Sequence, residues 1–350
     1  PGKILLVVPS INLVTQMKKD FGEYSMNDDA WNVDEECHEV YDGRSPYTSK
    51  KVVISTWQSL KDLDAGFFHP FTVMIGDECH TFSGACLEQI GKNCINAYNR
   101  VGLTGTLKKE KLHPLQVQQH FGPVKRIVTT KQLQDAGRAS KTQVTMIQIE
   151  HSAETRKEIY DSKAYDKEIE LLIGNKFRNR IIKGLASSLK GNTIMLFDRV
   201  EKHLDIIAEE LKAEIGDRKK VLVISGDVKN ADRDTIKALM EEEDGIVLLA
   251  SYGTMSTGVS IKRLHNLVFC HPSKSIIRIL QSLGRTLRLH ESKEVANIYD
   301  LVDIALYMER PNFAMTHAAE RLGFYQEEEH PVTSKKFNAP QGPSTTTTLV

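Results

Sequence analysis

The sequence lacks the features of a membrane or secreted protein. None of its apolar runs approaches the roughly 18 residues that a membrane-spanning helix needs, and no charged-then-apolar signal peptide opens the chain. The five cysteines are odd in number, and no two of them have C-x-x-C spacing. These absences argue against a disulfide framework and favour reduced, mostly buried thiols in a cytoplasmic protein.

The chain also has no excess of charge of either sign. Lysine and arginine together number 46, and so do aspartate and glutamate. The formal net charge is therefore zero, which gives no sign of a partner. Any contact with nucleic acid must come from local patches and backbone amides rather than from a positive field over the whole molecule.

What the sequence does contain is a regular alternation of short apolar runs and helical stretches. Its 350 residues are too many for one compact core and fit two domains of about 100–200 residues each. The apolar runs are continuous rather than alternating, which is typical of strands buried on both faces of a parallel sheet. The sequence therefore predicts an α/β fold with two parallel-sheet domains. The predicted strands are 4–8, 52–55, 73–75, 100–103, 144–149, 193–197, 221–224, 246–249, 267–270 and 295–299.

The division between the domains is predicted where this pattern is weakest. Asp135-Ala136-Gly137 is typical of a helix that ends in a glycine cap. We therefore expect a first domain over residues 1–139 and a second over 140–330. The charged stretch 154–180 predicts one solvated helix early in the second domain. The threonine-rich end, 331–350, predicts a disordered tail.

A pair of acids follows the predicted strand 73–75, in Gly76-Asp77-Glu78-Cys79-His80. Two acids at the open end of a buried strand are costly unless something pairs them, and open parallel sheets bind ligands at such ends. A nucleotide-bound Mg²⁺ would do so, with Asp77 holding the ion through water. Glu78 would then orient and deprotonate the attacking water, and His80 would link the site to the facing domain. The alternative is an acidic turn in which Asp77 caps a helix.

Hydroxyl groups stand after two other predicted strands. Thr104-Gly105-Thr106 follows strand 100–103, and its hydroxyls can bridge the acidic motif to a second domain. The loop 250–260 is small and hydroxyl-rich, so its backbone amides can approach a phosphate. A simple strand-end cap and a flexible surface loop are the respective alternatives.

Two arginines three residues apart lie in Gln281-Ser282-Leu283-Gly284-Arg285-Thr286-Leu287-Arg288. On a helix this spacing puts both guanidinium groups on one face, with Gln281 on the same side. They can reach a γ-phosphate held by the other domain, as arginine fingers do. A solvent-exposed basic helix is the alternative.

Taken in order, these segments resemble the motif signature of the superfamily 2 helicases over residues 3–303. Each match is weak alone, but the ordered set is specific. In the first half the matches are Val8-Pro9-Ser10 with Leu13 and Gln16 (motif Ia), Ser55 to Gln58 (Ib), Asp77 to His80 (II) and Leu103 to Thr106 (III). In the second half they are Ile194 to Phe197 (IV), Ser225-Gly226 with Arg233 (IVa), Ser256 to Gly258 (V) and Gln281 to Arg288 (VI).

The resemblance implies two RecA-like lobes in tandem, with ATP and Mg²⁺ in the cleft between them. Within the superfamily the sequence is most similar to recombination and repair helicases of tailed phages, on segments such as Thr56-Trp57-Gln58 and Ala250-Ser251-Tyr252-Gly253. This implies action on branched DNA: fork regression, Holliday-junction branch migration and R-loop unwinding. Implied partners are single- and double-stranded DNA, an RNA–DNA hybrid, and replication or recombination proteins such as single-strand-binding protein. A phage protein would work in the host cytoplasm.

The same resemblance implies roles for individual residues. The implied catalytic residues are Glu78, Gln281, Arg285 and Arg288. The implied nucleotide-binding residues are Asp77, His80, Thr104, Thr106 and Gly258, with Asp77 also holding Mg²⁺. The implied contacts to the nucleic-acid backbone are Ser10, Gln16, Thr56, Gln58, Ser225, Gly226, Ser256 and Thr257. Contacts of that kind ignore base sequence, which suits a motor that moves along any DNA.

The sequence departs from the family signature in lacking the phosphate loop G-x-x-x-x-G-K-[ST]. The nearest text, Gly91-Lys92-Asn93, has neither the glycine spacing nor the hydroxyl. The loop precedes motif Ia in the family, and this chain opens at Pro1 without a methionine, so we expect a larger protein to supply it. We predict that the 350 residues alone bind ATP weakly and do not hydrolyse it. Ser260 also stands where many relatives have an acid, which affects ribose and DNA coupling there.

Two alternatives to a helicase follow from this departure. One is a non-catalytic RecA-like module that binds nucleic acid and has lost its phosphate loop. The other is the motor part of a restriction enzyme. The intact Asp77-Glu78 pair and the two arginines favour the helicase, because an inactive motor has no use for matched acids and fingers.

Overall fold

A computed structural model of the protein divides into two compact units, residues 1–126 and 127–350, here called the first and second lobes. The structure describes residues 2–28, 30–104, 112–125, 127–226, 230–256, 261–272 and 289–340. Each lobe is built on one parallel sheet flanked by helices. The prediction of an α/β fold with two parallel-sheet domains is therefore confirmed.

The first lobe holds a five-stranded parallel sheet in the order β2-β3-β1-β4-β5. Its strands are β1 (Lys3–Val8), β2 (Cys37–Val40), β3 (Val52–Thr56), β4 (Phe71–Gly76) and β5 (Asn99–Gly102). Its helices are α1 (Ile11–Tyr24), α2 (Val33–Glu36), α3 (Trp57–Leu60), α4 (Ala65–Phe68), α5 (Gly84–Asn93) and α6 (Leu112–Phe121). The central strand β1 lies between β3 and β4, so both of its edges are paired.

Burial on both faces explains why β1 is a continuous apolar run. Leu5 and Val7 pack into a core with Phe68 on one face of the sheet. Leu6 and Val8 pack into a second core on the other face. Successive side chains of a strand point to opposite faces, so a strand covered on both sides needs apolar residues at every position.

The second lobe holds a seven-stranded parallel sheet in the order β12-β6-β11-β10-β7-β9-β8. Its strands are β6 (Lys141–Glu150), β7 (Thr193–Phe197), β8 (Val221–Ile224), β9 (Val247–Ser251), β10 (Asn266–Phe269), β11 (Val295–Ile304) and β12 (Val332–Asn338). Its helices are α7 (Thr130–Asp135), α8 (Ala153–Ser162), α9 (Tyr165–Ile173), α10 (Lys176–Ser188), α11 (Asp205–Ile215), α12 (Asn230–Glu242), α13 (Tyr252–Ser256) and α14 (Phe313–Glu327). A π-helical turn, Val200–Leu204, leads into α11.

The lobes divide earlier in the chain than the predicted boundary between residues 139 and 140. The segment between the two positions contains α7, whose Thr130 Oγ1 donates a hydrogen bond to Glu328 of the second lobe (2.8 Å). As the sequence predicts, the helix ends in this segment: α7 stops at Asp135, and Gly137 adopts a left-handed conformation (φ 64°) that glycine takes without steric cost.

The prediction of a disordered tail over residues 331–350 is wrong for its first part. Residues 332–338 form β12, which pairs in parallel with β6 from Val332 opposite Val144 to Asn338 opposite Glu150. The strand lies at the edge of the sheet with mostly exposed side chains, so its composition is polar although its backbone is paired. Residues 341–350 lie outside the described part of the chain.

The prediction of a single solvated helix over 154–180 is also wrong. The segment forms α8, α9 and the start of α10, and Lys163 in a left-handed conformation (φ 51°) separates the first two. Ile159, Leu172 and Arg178 are buried. The charged residues therefore cover the outer face of helices whose inner face belongs to the core.

The expectation of unpaired thiols is confirmed. All five cysteines are free, and four of them are buried. Among the helices that the structure describes, none is both long and apolar enough to cross a membrane.

Candidate active site

The acidic motif forms a tight turn at the carboxyl end of β4. The Asp77 amide donates to the Val7 carbonyl (2.9 Å), and the Cys79 amide donates to the Leu103 carbonyl (3.1 Å). Between them, Glu78 adopts a left-handed conformation (φ 48°). Such a conformation costs a non-glycine residue about 1–2 kcal/mol, and residues held this way cluster at active sites. The strained conformation of Glu78 therefore indicates a functional role for this turn.

His80 joins the turn to the chain that leaves β5. Its Nδ1 lies 2.6 Å from Thr104 Oγ1 and 3.2 Å from Glu78 Oε2. The side chain is only 2% exposed, against 32% for Glu78. Its Nε2 is buried and has no hydrogen-bond partner within the described residues. The structure thus brings three of the residues singled out in the sequence, Glu78, His80 and Thr104, into one cluster of the first lobe.

The environment of Asp77 suits a bound cation. Burial raises the pKa of the Asp77 carboxyl, and the adjacent charge of Glu78 raises it further. In the described part of the chain, neither acid forms an ion pair with a lysine or arginine. A divalent ion would supply the missing positive charge.

The donor set fits magnesium better than a metal held entirely by protein. Within the described ranges, no group of three or more histidine, cysteine, aspartate or glutamate side chains is placed to hold an ion. Magnesium usually keeps several waters and binds one or two carboxylates together with substrate phosphates. Asp77 and Glu78 provide such a partial site.

Cys79 is a packing residue of this turn. Burial raises the pKa of its thiol to about 11, so the thiolate that nucleophilic chemistry requires is rare at neutral pH. A Cβ placed at Gly102 would lie 3.1 Å from the Cys79 sulfur and 2.8 Å from the Phe121 ring. Glycine at the end of β5 therefore allows the turn to pack closely against this strand.

The ends of β1 and β3 are linked by Gln58. Its Nε2 donates to the carbonyl of Pro9 (3.2 Å). The hydroxyl of Thr56 accepts from the Ser59 amide (3.3 Å) and caps α3, and Thr56 is only 4% exposed. The Thr56 side chain is therefore already engaged, while Gln58 lies at the surface.

Ser10 and Gln16 mark the start of α1. Ser10 is the N-cap residue of this helix, but its side chain makes no capping hydrogen bond. Gln16 is exposed and donates to Asp20 of the same helix (2.6 Å). Both side chains are accessible at the carboxyl edge of the first sheet or one turn beyond it.

The corresponding edge of the second sheet presents backbone carbonyls. After β8, the Nη2 of Arg233 donates to the carbonyls of Ser225 (3.3 Å) and Gly226 (3.1 Å). After β9, the Ser251 hydroxyl accepts from the Thr254 amide (3.2 Å) and so caps α13.

The remaining residues singled out in the sequence are not all described. Only the backbone of Ser256 is described, as the last residue of α13. Those that lie outside the described residues are Thr106, Thr257, Gly258, Gln281, Arg285 and Arg288.

A buried ionic network in the second lobe was missed in the sequence. The Nε of Arg178 donates to both carboxylate oxygens of Asp303 (2.9 and 3.0 Å), and His151 Nε2 lies 3.0 Å from Asp303 Oδ1. Burial tends to raise the pKa of Asp303, but the charge of Arg178 and the contact with His151 outweigh it and lower the pKa to about 2. The available signal was helical spacing, because Arg178 falls on the same face as the buried Ile181 and Ile182.

Two family models match the chain. The family described as Type III restriction enzyme, res subunit, matches residues 1–109. The family described as Helicase conserved C-terminal domain matches residues 176–290.

Similarity to known proteins extends over nearly the whole chain. The chain is 32% identical over 354 aligned positions to the ATP-dependent DNA helicase uvsW of Enterobacteria phage T4, covering 96% of this chain and 68% of the phage protein. A fragment of a putative HsdR subunit of a type I restriction enzyme from Vibrio vulnificus YJ016 matches with a TM-score of 0.65 at 16% identity, covering 96% of this chain and 58% of that one. S. cerevisiae Dbp5 bound to RNA and ADP BeF3 matches with a TM-score of 0.55 at 13% identity, covering 96% and 78%. At these identities the two structures show the fold alone, and the expected RecA-like lobes are confirmed.

Proposed function

Because the chain belongs to the superfamily 2 helicases, an assignment that confirms the family resemblance, we propose that it forms the ATP-driven motor of a helicase acting on branched DNA. The observation that carries the proposal is the cluster of Glu78, His80 and Thr104, next to Asp77 at the carboxyl edge of the first sheet. Among the described residues, neither acid is paired with a lysine or arginine, and Glu78 has a strained left-handed conformation. His80 joins Glu78 to Thr104, beyond the end of β5.

In the proposed chemistry, Glu78 is the general base. Its carboxylate would accept a proton from the water that attacks the γ-phosphate of ATP. His80 would hold Glu78 in place through Nδ1, and Thr104, which contacts the same nitrogen, would fix the orientation of the ring. Asp77 would hold Mg²⁺ through water, and the ion would neutralise charge on the phosphates. The hydroxyl of Thr106 and the backbone at Gly258 would complete the nucleotide contacts.

On the second lobe, Gln281, Arg285 and Arg288 are proposed to act on the same phosphate. Guanidinium groups stabilise the charge that develops in phosphoryl transfer. The support for these three residues is the spacing of motif VI.

The proposed DNA contacts run along the carboxyl edges of the sheets. In the first lobe they are the Ser10, Gln16 and Gln58 side chains and the backbone at Thr56, since the Thr56 hydroxyl already caps a helix. In the second lobe they are Ser225, Gly226, Ser256 and Thr257. We expect these groups to bind phosphates and not base edges, so that affinity depends on salt and little on sequence.

Branched DNA is proposed as the substrate because of the similarity to tailed-phage recombination and repair helicases. The test uses the gene product that contains these 350 residues, on forks, Holliday junctions, R-loops and plain duplexes of matched length. We expect ATP-dependent regression, branch migration or unwinding of the branched substrates to exceed that of the duplex. Equal rates on all substrates, or no strand movement with ATP, would contradict the proposal.

The 350 residues alone are still predicted to bind ATP weakly and not to hydrolyse it, since they contain no G-x-x-x-x-G-K-[ST] sequence. Measurable hydrolysis by the purified 350-residue chain, in the absence of contaminating ATPase, would refute this prediction.

A restriction-enzyme motor is the second candidate, supported by the family match over residues 1–109. The same gene product would then cleave unmodified circular DNA in the presence of ATP. Cleavage would favour this candidate, and strand movement without cleavage would favour the helicase.

A further inference from the structure

Three consecutive carbonyl groups that follow β10 each accept a hydrogen bond from a side chain. The carbonyl of Cys270 accepts from Arg178 Nη2 (2.7 Å). The carbonyl of His271 accepts from the Tyr252 hydroxyl (3.3 Å). The carbonyl of Pro272 accepts from the Tyr165 hydroxyl (3.3 Å). We call residues 270–272 the β10 exit.

The three donors come from three different helices. Arg178 lies on α10, Tyr252 begins α13, and Tyr165 begins α9. Buried carbonyls must find hydrogen-bond partners. Here side chains supply the donors that the backbone amides of a neighbouring strand would otherwise supply. The direction in which the chain leaves β10 is therefore set by elements distant in sequence rather than by the local backbone.

Two of the donors are themselves held rigidly. Arg178 is fully buried and bound to both oxygens of Asp303. Tyr252 is 2% exposed, and its ring stacks on Phe269 of β10 with centroids 6.4 Å apart and planes 12° apart. A shift of Tyr252 would therefore displace the β10 exit in two ways, through the contact of its ring with Phe269 and through the hydrogen bond of its hydroxyl to His271.

Tyr252 differs from the other two donors in what it is attached to. It stands in α13, four residues before Ser256 and directly after the cap residue Ser251. The same loop carries Ser256 and Thr257, which are proposed to bind the DNA backbone. By sequence, the exit leads to Gln281, Arg285 and Arg288. The hydrogen bond from Tyr252 to His271 thus connects a segment proposed to bind DNA with a segment proposed to act on ATP.

We propose that Tyr252 is a positioning residue that couples DNA binding at the loop after β9 to ATP hydrolysis through the β10 exit. The inference rests on the proposed function, and it adds a residue to which neither catalysis nor DNA contact was assigned. DNA bound to the loop would fix α13, and Tyr252 would then fix the His271 carbonyl and hold the β10 exit in one conformation.

The test is Tyr252→Phe in the gene product, which keeps the ring and removes the hydroxyl. We expect the DNA-stimulated kcat of ATP hydrolysis to fall about fivefold, the size expected for loss of one hydrogen bond. The rate without DNA, the KM for ATP and the affinity for single-stranded DNA should stay within about twofold, since neither binding site is touched.

Two matched variants separate coupling from general loosening. Tyr165→Phe removes the neighbouring bond to the exit from α9, which carries no proposed DNA contact. Tyr325→Phe removes a buried tyrosine hydroxyl that donates to Asp300 (3.0 Å) elsewhere in the same lobe. Both should leave the ratio of DNA-stimulated to unstimulated rate unchanged. An unchanged ratio in Tyr252→Phe, or an equal fall in Tyr165→Phe, would overturn the proposal.

A second readout does not require turnover. Binding of a single-stranded oligonucleotide should slow amide hydrogen exchange in peptides covering residues 266–272, and Tyr252→Phe should abolish this slowing while binding persists. Slowing of equal size in the variant would overturn the coupling role. A wild-type protein that neither binds DNA nor shows DNA-stimulated hydrolysis would instead contradict the proposed function.

Discussion

The carboxyl edges of the two sheets hold acidic side chains in opposite ways. In the first lobe, Asp77 and Glu78 stand side by side, and neither is paired with a lysine or arginine of the described chain. In the second lobe, Asp303 is fully buried and bound by Arg178 and His151. Unpaired acids need a cation from outside and suit a ligand site, whereas a closed network fixes the backbone around it.

The largest contrast is expected when one acid of each lobe loses its charge. Asp303→Asn leaves Arg178 buried without its partner and should lower the free energy of unfolding of the second lobe by about 3–5 kcal/mol. Asp77→Asn removes a carboxylate whose raised pKa makes ionisation unfavourable in the fold, so the first lobe should keep or gain stability. Urea unfolding followed by hydrogen exchange in each lobe distinguishes the two responses.

Asp166→Asn is the control for this pair, because it removes only an exposed ion pair with Arg199 and should change little. If Asp77→Asn destabilised its lobe as strongly as Asp303→Asn does, the contrast between unpaired acids in the first lobe and a closed ionic network in the second would be contradicted.

Acid should weaken the second lobe before the carboxylates titrate. Burial lowers the pKa of His203 to about 2 and that of His271 to about 4, so both stay neutral in the fold while the unfolded chain takes up protons below about pH 6.5. The contribution of these two histidines to the free energy of unfolding is therefore complete above pH 6.5 and is lost as the pH falls below it. For His203 alone the loss at pH 5 is about 2 kcal/mol.

Unfolding free energies at pH 7 and pH 5 test this dependence. His203→Gln should reduce the difference between the two pH values, and His69→Gln, at an exposed histidine of the first lobe, should not. A pH dependence that His203→Gln leaves unaltered would contradict the assignment.

A smaller effect is expected at His80, the histidine of the acidic turn. Thr104→Val removes the hydroxyl that contacts His80 Nδ1 and should slow ATP hydrolysis by the gene product about fivefold, as for one lost hydrogen bond. The affinity for ATP should change less, because the role proposed for the contact is to position Glu78. Thr155→Val, in α8 of the second lobe, is the control. Equal rates of ATP hydrolysis in the two variants would contradict the positioning role proposed for Thr104.

The smallest effect is expected at the proposed DNA contacts. Gln16→Ala removes an exposed side chain of α1 and should weaken binding of single-stranded DNA about twofold to threefold, equally for different sequences. Fluorescence anisotropy with two unrelated oligonucleotides measures this. Gln326→Ala, an exposed glutamine of α14, is the control, and a sequence-dependent loss in Gln16→Ala would contradict a backbone contact.

The sequence predicts the parts of the fold whose signal is local. Strands such as β1 and β4 are apolar because both of their faces are buried, and Asp77 to His80 can be assigned because they follow β4 directly. The polar edge strand β12 carries no such signal, since its order comes from pairing with β6, far away in the chain.

The parts of the site that were missed depend on partners remote in sequence. Arg178 and Asp303 are separated by 125 positions, and Tyr165 lies 107 positions from the carbonyl it binds. A tyrosine or an arginine on a helix face does not reveal which carbonyl it will reach. Only the folded sheet places those groups together.

The most direct test of the account is ATP hydrolysis by the Glu78→Gln variant of the gene product, measured together with ATP binding. Turnover is expected to fall by about 10²–10⁴-fold, the usual contribution of a general base, while ATP and DNA affinities stay within about twofold. Glu88→Gln, on the nearby α5, should hydrolyse ATP at the wild-type rate. Normal turnover in Glu78→Gln would show that the acidic turn of the first lobe is not the catalytic centre.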